Sequence, residues 1–185
     1  MVTPIMMGVE VRLDEQMFDQ LTSTLGLTKR KVEVAGFRSV RKTARWVKTH
    51  LARELSKELQ IVQKIIRQRL RVYVKDKKAM QAKVWMGMYK IKASRLGRVR
   101  QTRTGVSVGR HRFPGAFQAT MKTYHTDVYE RRDDARLPID LVELDISEKA
   151  MKVLNAVSER TEARLMKIMQ QEINYEIQKL KNRVN

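Results

Sequence analysis

A chain of 185 residues and 21.7 kDa is long enough to bury a sizeable core in one domain, alone or with a long helical appendage. Its hydrophobic content of 42 % is ordinary, whereas its charged content of 32 % exceeds the roughly 25 % of average globular chains, and its net charge is +19. The absence of cysteine excludes a disulfide framework, a thiolate metal site and a cysteine nucleophile.

The positive charge is concentrated in one part of the chain. Residues 28–78 carry seventeen basic and four acidic side chains, and residues 79–112 carry nine basic side chains and no acid. From Phe113 onward the two signs balance at twelve each. A basic field of this kind attracts polyanions through counterion release, without reading a sequence. For any single base a solvated helix face is the simpler explanation, but nine bases without an acid favour a surface that faces a polyanion.

No targeting or membrane segment is expected. The first residues lack a basic region followed by an apolar run, and no stretch approaches the ~18 apolar residues of a membrane span. The composition therefore suits the cytosol or a virion, with no membrane partner.

Three helices are predicted in residues 12–69, which we expect to form one helical layer. Asp14 is the expected N-cap of the first and Ser56 of the third. The second has an apolar stripe at helical spacing, and Gly36 either kinks it or divides it in two. The expected ranges are about 14–25, 29–55 and 57–69, and the stripe is Val40, Ala44, Val47, Leu51 and Leu55.

The pattern changes to period two after Arg69 and predicts a hairpin over about 70–88 with one basic, aromatic face. Tyr73 and Trp85 on that face could stack nucleic-acid bases. Cross-strand packing or contact with a neighbouring subunit is the commoner role of such aromatics.

A basic excursion follows at residues 91–112, with a short strand expected around Val106–Val108. Its apolar content is thin, and arginine outnumbers lysine, which suits forked contacts with phosphates or with carboxylates of a partner protein. Both partners remain open. The candidate residues are Arg95, Arg98, Arg100, Arg103, Arg110 and Arg112.

Residues 110–146 contain two of the three prolines and predict a small antiparallel meander. Gly115 follows Pro114 as in a type II turn, which requires positive φ at that position. The charged turn at residues 131–136 could be construed as a metal or acid–base site, but a solvated turn explains its mixed charges better. The expected strands are about 117–123, 126–132 and 139–146, the last an acidic strand at the rim of the sheet with Asp140, Glu143 and Asp145.

The last predicted element is one long helix over about 147–183, with an apolar stripe nearly as long as the helix. One small domain cannot cover such a stripe alone. The helix either curls back over the sheet and the first helices, or packs on another copy of the chain.

Motifs for catalysis are absent. The three histidines, His50, His111 and His125, are scattered, and neither a zinc-binding His spacing, a glycine-rich phosphate loop nor a nucleophile elbow occurs. We therefore expect no enzyme, no catalytic residue, no metal and no cofactor. The fold class expected is α+β: a single domain over 1–185, with N-terminal helices and the long C-terminal helix packed around a mainly antiparallel sheet over 70–146.

Two motifs and their order carry a resemblance. They are Arg112, Phe113, Pro114, Gly115, Ala116 and Phe117, then Arg136, Leu137, Pro138, Ile139 and Asp140. In these motifs the chain resembles the phage minor tail protein Z family of tail completion proteins, best over about 95–183 and in the N-terminal half mainly by basic character.

The resemblance implies a structural virion protein, assembled in the host cytoplasm. Proteins of this kind join the tail late, act at the end that meets the head, and help to place the genome end for ejection. Implied partners are copies of the same chain in a ring, expected to be hexameric, the tail tube or tail terminator, a head-side neck or connector protein, and genomic DNA in the lumen. Asp140, Glu143 and Asp145 are candidates for contact with a neighbouring copy. The alternative function is sequence-independent nucleic-acid binding through the basic region.

Overall fold

The computed structural model describes residues 6–13, 19, 29–75, 79–121 and 125–184. The chain divides into two compact units, and each is built from separate segments. The helix–hairpin unit comprises Met6–Leu51, Leu70–Met86 and Val153–Asn185, and the meander unit comprises Met1–Ile5, Ala52–Arg69 and Gly87–Lys152. The α+β class predicted from the sequence is confirmed, although the strands form several small sheets instead of one.

The helix–hairpin unit contains a three-stranded sheet in the order β1–β3–β2. The predicted hairpin is confirmed, because β2 and β3 pair antiparallel with Val72 opposite Val84. Alternate residues of β3 are fully buried, as period two requires. The strands are β1 (Met6–Arg12), β2 (Leu70–Val74) and β3 (Gln81–Gly87).

Helix α1 (Lys29–Leu59) confirms the second predicted helix and its stripe, all five residues of which are fully buried. Gly36 neither ends nor divides α1. A Cβ at Gly36 would lie 3.1 Å from Leu13 Cδ2 and 3.1 Å from Met80 Sδ, so this glycine allows close packing within the unit.

The prediction of Ser56 as an N-cap is wrong, because Ser56 lies inside α1 and its hydroxyl donates to the Ile61 carbonyl at 2.6 Å. The helix ends instead in a Schellman motif. Gln60 has φ 54° and its amide donates to Lys57 O, while the Ile61 amide donates to Ser56 O. The next helix, α2 (Gln63–Arg69), is correspondingly short.

The predicted long C-terminal helix is confirmed, but the predicted range is interrupted once. The segment forms α3 (Ser147–Glu159) and α4 (Thr161–Val184), separated at Arg160. The Thr161 hydroxyl donates to Val157 O, and Arg160 Nε donates to Ala156 O. Side chains that take up these carbonyls compete with the helical ladder, which explains the interruption. The stripe of α4 is buried within the chain as far as Ile173.

In the described residues of the meander unit there are three small antiparallel sheets. β5–β6–β7 and β8–β9–β10 are three-stranded meanders, and β11 pairs with β4. The bounds are β4 (Ile91–Lys92), β5 (Val99–Thr102), β6 (Gly105–Val108), β7 (His111–Pro114), β8 (Phe117–Thr120), β9 (Thr126–Arg131), β10 (Ile139–Leu141) and β11 (Glu143–Leu144), with a 3₁₀ helix at Ala93–Leu96.

The expected strand over 139–146 is divided at Val142. Val142 is buried, its amide donates to Val128 O, and its carbonyl accepts from the Ala93 amide. Val142 therefore links β9 to the residue that follows β4. Because Val142 is buried directly after Leu141, the segment does not alternate strictly between apolar and polar residues.

Two predicted elements lie partly or wholly outside the described residues. The first predicted helix, about 14–25, is described only at Asp19, which is helical, and the turns near 76–78 and 122–124 are not described. Of the helices in the described ranges, none is long and apolar enough to cross a membrane.

Candidate polyanion-binding surface

The basic segment 91–112 is folded, which corrects the expectation of an excursion with a single short strand. In the sheet β5–β6–β7 the cross-strand pairs place Val106 opposite Phe113 and Val108 opposite His111. Val106 and Val108 are buried, so this face of the sheet packs against the core of the unit. The segment thus has a core face, and its charges belong to the other face.

Two of the six candidate arginines lie on that outer face, one on each side of the central strand. Arg100 pairs with Ser107 of the central strand, and Ser107 pairs with Arg112 on the far side. Residues directly opposite in neighbouring strands point to the same face. Arg100 and Arg112 are both exposed, with the small Ser107 between them.

The other four arginines surround the sheet. Arg103 lies in the turn between β5 and β6, and Arg110 in the turn between β6 and β7 at the opposite end. Arg98 precedes β5, and Arg95 lies in the 3₁₀ helix. All four are exposed. The structure therefore brings the predicted arginines onto one small sheet and its margins, a set that we call the arginine sheet.

None of these arginines forms an ion pair with a described residue, although acids of the unit pair with other bases. Asp127 accepts a hydrogen bond from Ser94 and lies 3.5 Å from Lys92 Nζ. Asp140 accepts two hydrogen bonds from Arg132, at 3.0 and 2.9 Å. The charge of the arginine sheet is thus left uncompensated by the acids that the structure describes.

The type II turn at Pro114–Gly115 is confirmed. Gly115 has φ 74°, and the Ala116 amide donates to Phe113 O across the turn. The Gly115 amide also donates to Thr104 O at 2.9 Å, which ties the turn to the β5–β6 connection. Phe117 then begins β8, and its ring lies 6.4 Å from that of Tyr129. The motif thus connects the arginine sheet to the next meander.

The second motif lies at an exposed turn. Residues 131–138 are exposed, and Arg136 and Pro138 are among them. The turn is closed by Arg132 and Asp140. Asp133 accepts a hydrogen bond from the Ala135 amide, as in a solvated Asx turn.

The three acidic candidates differ in what they contact within the chain. Asp140 is held by Arg132, and Asp145 accepts a hydrogen bond from the Ser147 amide at the start of α3. That amide is the main cause of a lowered pKa of Asp145. Glu143 is exposed opposite Lys92 in the β11–β4 pair.

A basic groove in the helix–hairpin unit was missed by the sequence analysis. It lies between α1 and α4, has a volume of about 530 Å³ and is lined by Arg38, Arg41, Lys42, Arg45, Gln171, Glu172 and Tyr175. Glu172 and Glu176 are both buried, and they are bound by side chains that line the groove: Lys42 binds Glu172, and Arg38 binds Glu176 at 2.7 Å. The partners are 130 or more residues apart, so no local pattern reveals the groove.

Another unpredicted feature is an arginine stacked on a tyrosine. Arg69 is buried, its guanidinium carbon lies 3.8 Å from the centre of the Tyr89 ring, and it donates to the carbonyls of Gly87, Tyr89 and Lys90. Burial lowers the pKa of the Arg69 guanidinium, Tyr89 raises it, and the positive charge of Arg95 lowers it.

The aromatics singled out in the hairpin lie in the other unit. Tyr73 is exposed on β2, whereas Trp85 is partly covered, because Gly8 of β1 approaches its ring. His50 and His111 are in ring contact with Trp46 and Phe113. Among the described residues no group of three or more potential metal ligands occurs.

The family model for prophage minor tail protein Z (GPZ) matches residues 15–183. No curated protein and no solved structure matches the chain.

Proposed function

Because the chain belongs to the prophage minor tail protein Z family and is a structural component of a phage tail, we propose that it forms a ring at the head-proximal end of the tail. In this position it joins tail to head and holds the genome end ready for ejection. The observation that carries the proposal is the arginine sheet, with Arg100 and Arg112 exposed on one face and no described acid paired with them.

The arginine sheet suits contact with DNA without sequence recognition. Arginine forks bind phosphate oxygens in pairs, and phosphate contacts fix position without reading bases. The strands below are held by cross-strand hydrogen bonds and by buried Val106 and Val108. The arginines are therefore presented from a rigid base, which limits the backbone entropy lost on binding.

Ring formation requires a head-to-tail contact between two different surfaces of the chain. Of the three acidic candidates, Glu143 is the one whose carboxylate neither binds a described base nor caps a helix. We assign to Glu143 a contact with a basic group of the adjacent copy. Mass measurement of the purified protein, alone and on tail tubes, should give a ring, expected to be hexameric. The variant Glu143→Lys should lower its occupancy on tubes, and unchanged occupancy would remove Glu143 from the contact.

The central experiment neutralises the arginine sheet. The variant Arg100→Gln/Arg112→Gln is compared with Arg53→Gln/Lys64→Gln, which removes the same charge from exposed helical positions of the same unit. Each variant is supplied to tails that lack the protein, and assembly and DNA ejection are scored. Each purified variant is also titrated with duplex DNA over a range of salt concentrations.

The sheet variant should still assemble into tails and join heads but should retain or eject DNA poorly. Loss of two phosphate contacts should reduce the slope of log K against log salt by about 2. Failure of assembly would instead assign the arginines to acidic groups on a neighbouring protein. Wild-type behaviour in both assays would reduce the arginine sheet to a solvated surface and overturn its role.

A further inference from the structure

Tyr89 is an exposed aromatic residue whose ring is nevertheless packed against another side chain. An aromatic residue of the core would be buried instead. The residue is 55 % exposed, while its ring is covered by the Arg69 guanidinium at 3.8 Å. The ring also packs closely against Gly87, because a Cβ at this position would lie only 2.6 Å from Tyr89 Cε1. Since one side of the ring is occupied and more than half of the residue is accessible, the other face is open to solvent.

Arg69 fixes the ring without neutralising the local charge. Its three described acceptors are backbone carbonyls, which satisfy N–H groups and carry no negative charge. The exposed side chains of Lys90 and Arg95 add two more cations around the ring. Lys90 also interacts with the carboxylate of Asp145, whereas neither Arg69 nor Arg95 pairs with a described acid. An open aromatic face beside such cations is the arrangement with which single-strand-binding proteins stack bases and hold phosphates.

A basic path connects this ring to the arginine sheet. The 3₁₀ helix that carries Arg95 lies against the turn that carries Arg110, where a Cβ at Gly97 would be 3.5 Å from the Gly109 amide nitrogen. Arg95 also acts electrostatically on Arg69, which covers the Tyr89 ring, so basic side chains link the arginine sheet to this ring within one unit.

We propose that Tyr89, backed by Arg69 and flanked by Lys90 and Arg95, is a stacking site for an unpaired base at a DNA end. Duplex DNA keeps its bases covered along its length, and only an end or a single-stranded segment can present a free base face. The site thus adds preference for a DNA end to the sequence-independent hold of the arginine sheet. This inference rests on the proposed function, since it requires DNA to reach this surface.

The test compares binding of the purified full chain to two probes. One is a labelled oligothymidylate of about 16 nucleotides, the upper end of the site sizes of single-strand-binding domains. The other is a relaxed, closed circular duplex, which has neither ends nor unpaired bases and is measured by competition. The variants are Tyr89→Ala, Tyr89→Leu and Tyr89→Phe, and Tyr73→Ala is the control at another exposed tyrosine.

We expect Tyr89→Ala and Tyr89→Leu to weaken oligothymidylate binding about tenfold, the typical loss for one base–aromatic stack. The salt dependence should be unchanged, because stacking releases no counterions. Tyr89→Phe keeps the ring and should bind as the wild type, as should Tyr73→Ala. Binding of the circular duplex should not change in any of the four. The leucine variant keeps an apolar cover over Arg69, so a loss shared by both substitutions does not result from exposing that guanidinium.

A positional test uses an oligonucleotide with one 5-bromouracil, which cross-links to a stacked aromatic on irradiation. The cross-link should map to Tyr89, and a cross-link that maps elsewhere would overturn the site. The site would also be overturned if Tyr89→Ala bound oligothymidylate as tightly as the wild type does, or if it lost the same affinity for both probes. If Arg100→Gln/Arg112→Gln weakens binding of both probes while Tyr89→Ala weakens binding of neither, the stacking site is refuted and the DNA-holding role of the arginine sheet is retained. If the wild type binds neither probe, the DNA-holding role fails together with it.

Discussion

Substitution of Gly115 should destabilise the meander unit through the backbone alone. At φ 74° a residue with a Cβ pays roughly 1–2 kcal/mol relative to its preferred conformation, and a β-branched residue more. A clash with other parts of the unit adds nothing to this cost, because a Cβ at this position would meet no atom within 4 Å beyond its chain neighbours. Gly115→Asn should cost least, Gly115→Ala more and Gly115→Val most. In a chain of this size 1 kcal/mol corresponds to about 2–4 °C in Tm.

Gly105 supplies the matched comparison, because its Cβ would lie 2.2 Å from Phe113 O and 2.9 Å from Pro114 Cα. The backbone of β7 would have to move, so Gly105→Ala should lower Tm by more than Gly115→Ala. Thermal unfolding followed by circular dichroism measures both series. Equal losses for the two alanine variants, or an unchanged Tm for Gly115→Val, would refute the assignment of the turn.

Three further predictions concern stability. Gln60→Gly should raise the free energy of unfolding by up to about 1 kcal/mol, seen as a higher urea midpoint, because glycine adopts the positive φ of this helix end without strain, and a lower midpoint would contradict the Schellman assignment. Glu172→Gln should cost about 1 kcal/mol and less at high salt, since its basic partners are more than a third exposed, whereas Glu162→Gln, at an exposed position in the first turn of α4, should cost less; equal urea midpoints would argue against the ion pairs. Asp145→Ala should cost about 1 kcal/mol at neutral pH by removing the acceptor for the Ser147 amide. Because the folded pKa of Asp145 is lowered, this stabilisation is present above the ordinary pKa of aspartate and is lost as pH falls through the lowered value; wild-type and variant Tm curves that stay parallel in acid would count against it.

The elements that were predicted correctly are those whose chemistry is local. Proline followed by glycine specifies a type II turn within four residues, and Gly115 adopts the required φ. The hairpin β2–β3 follows from alternation within each strand, which sets the buried face. In α1 the stripe at helical spacing marks the buried side for the same reason.

Segment 91–112 was interpreted incorrectly because a half-buried strand was counted as a loop. A base at every second or third residue reduces the apolar content, but period two assigns those bases to one face of the sheet. Val106 and Val108 are sufficient to bury the other face. Arg100 and Arg112 are therefore compatible with a strand, and the arginine pattern was itself a sign of one.

Features that depend on distant residues could not be predicted. Gln60 follows the end of α1 at a position where glycine is the usual residue, so the sequence does not signal the end of this helix. Arg69 reaches the carbonyl of Tyr89 across 20 residues, and Lys42 reaches Glu172 across 130. Each pairing follows from tertiary packing, which brings the partners together only once the unit has folded.

The distribution of ion pairs separates structural charges from charges kept for a partner. In the meander unit Asp127 and Asp140 bind other bases, while Arg100 and Arg112 stay unpaired among the described residues. The two arginines are two strands apart, roughly 10 Å. That is about the Debye length at 0.1 M salt, so they repel each other weakly and do not stabilise the fold. Natural proteins accept such costs at functional sites. A polyanion placed across Arg100 and Arg112 would replace their repulsion by attraction, and the arrangement is therefore more consistent with binding than with solubility.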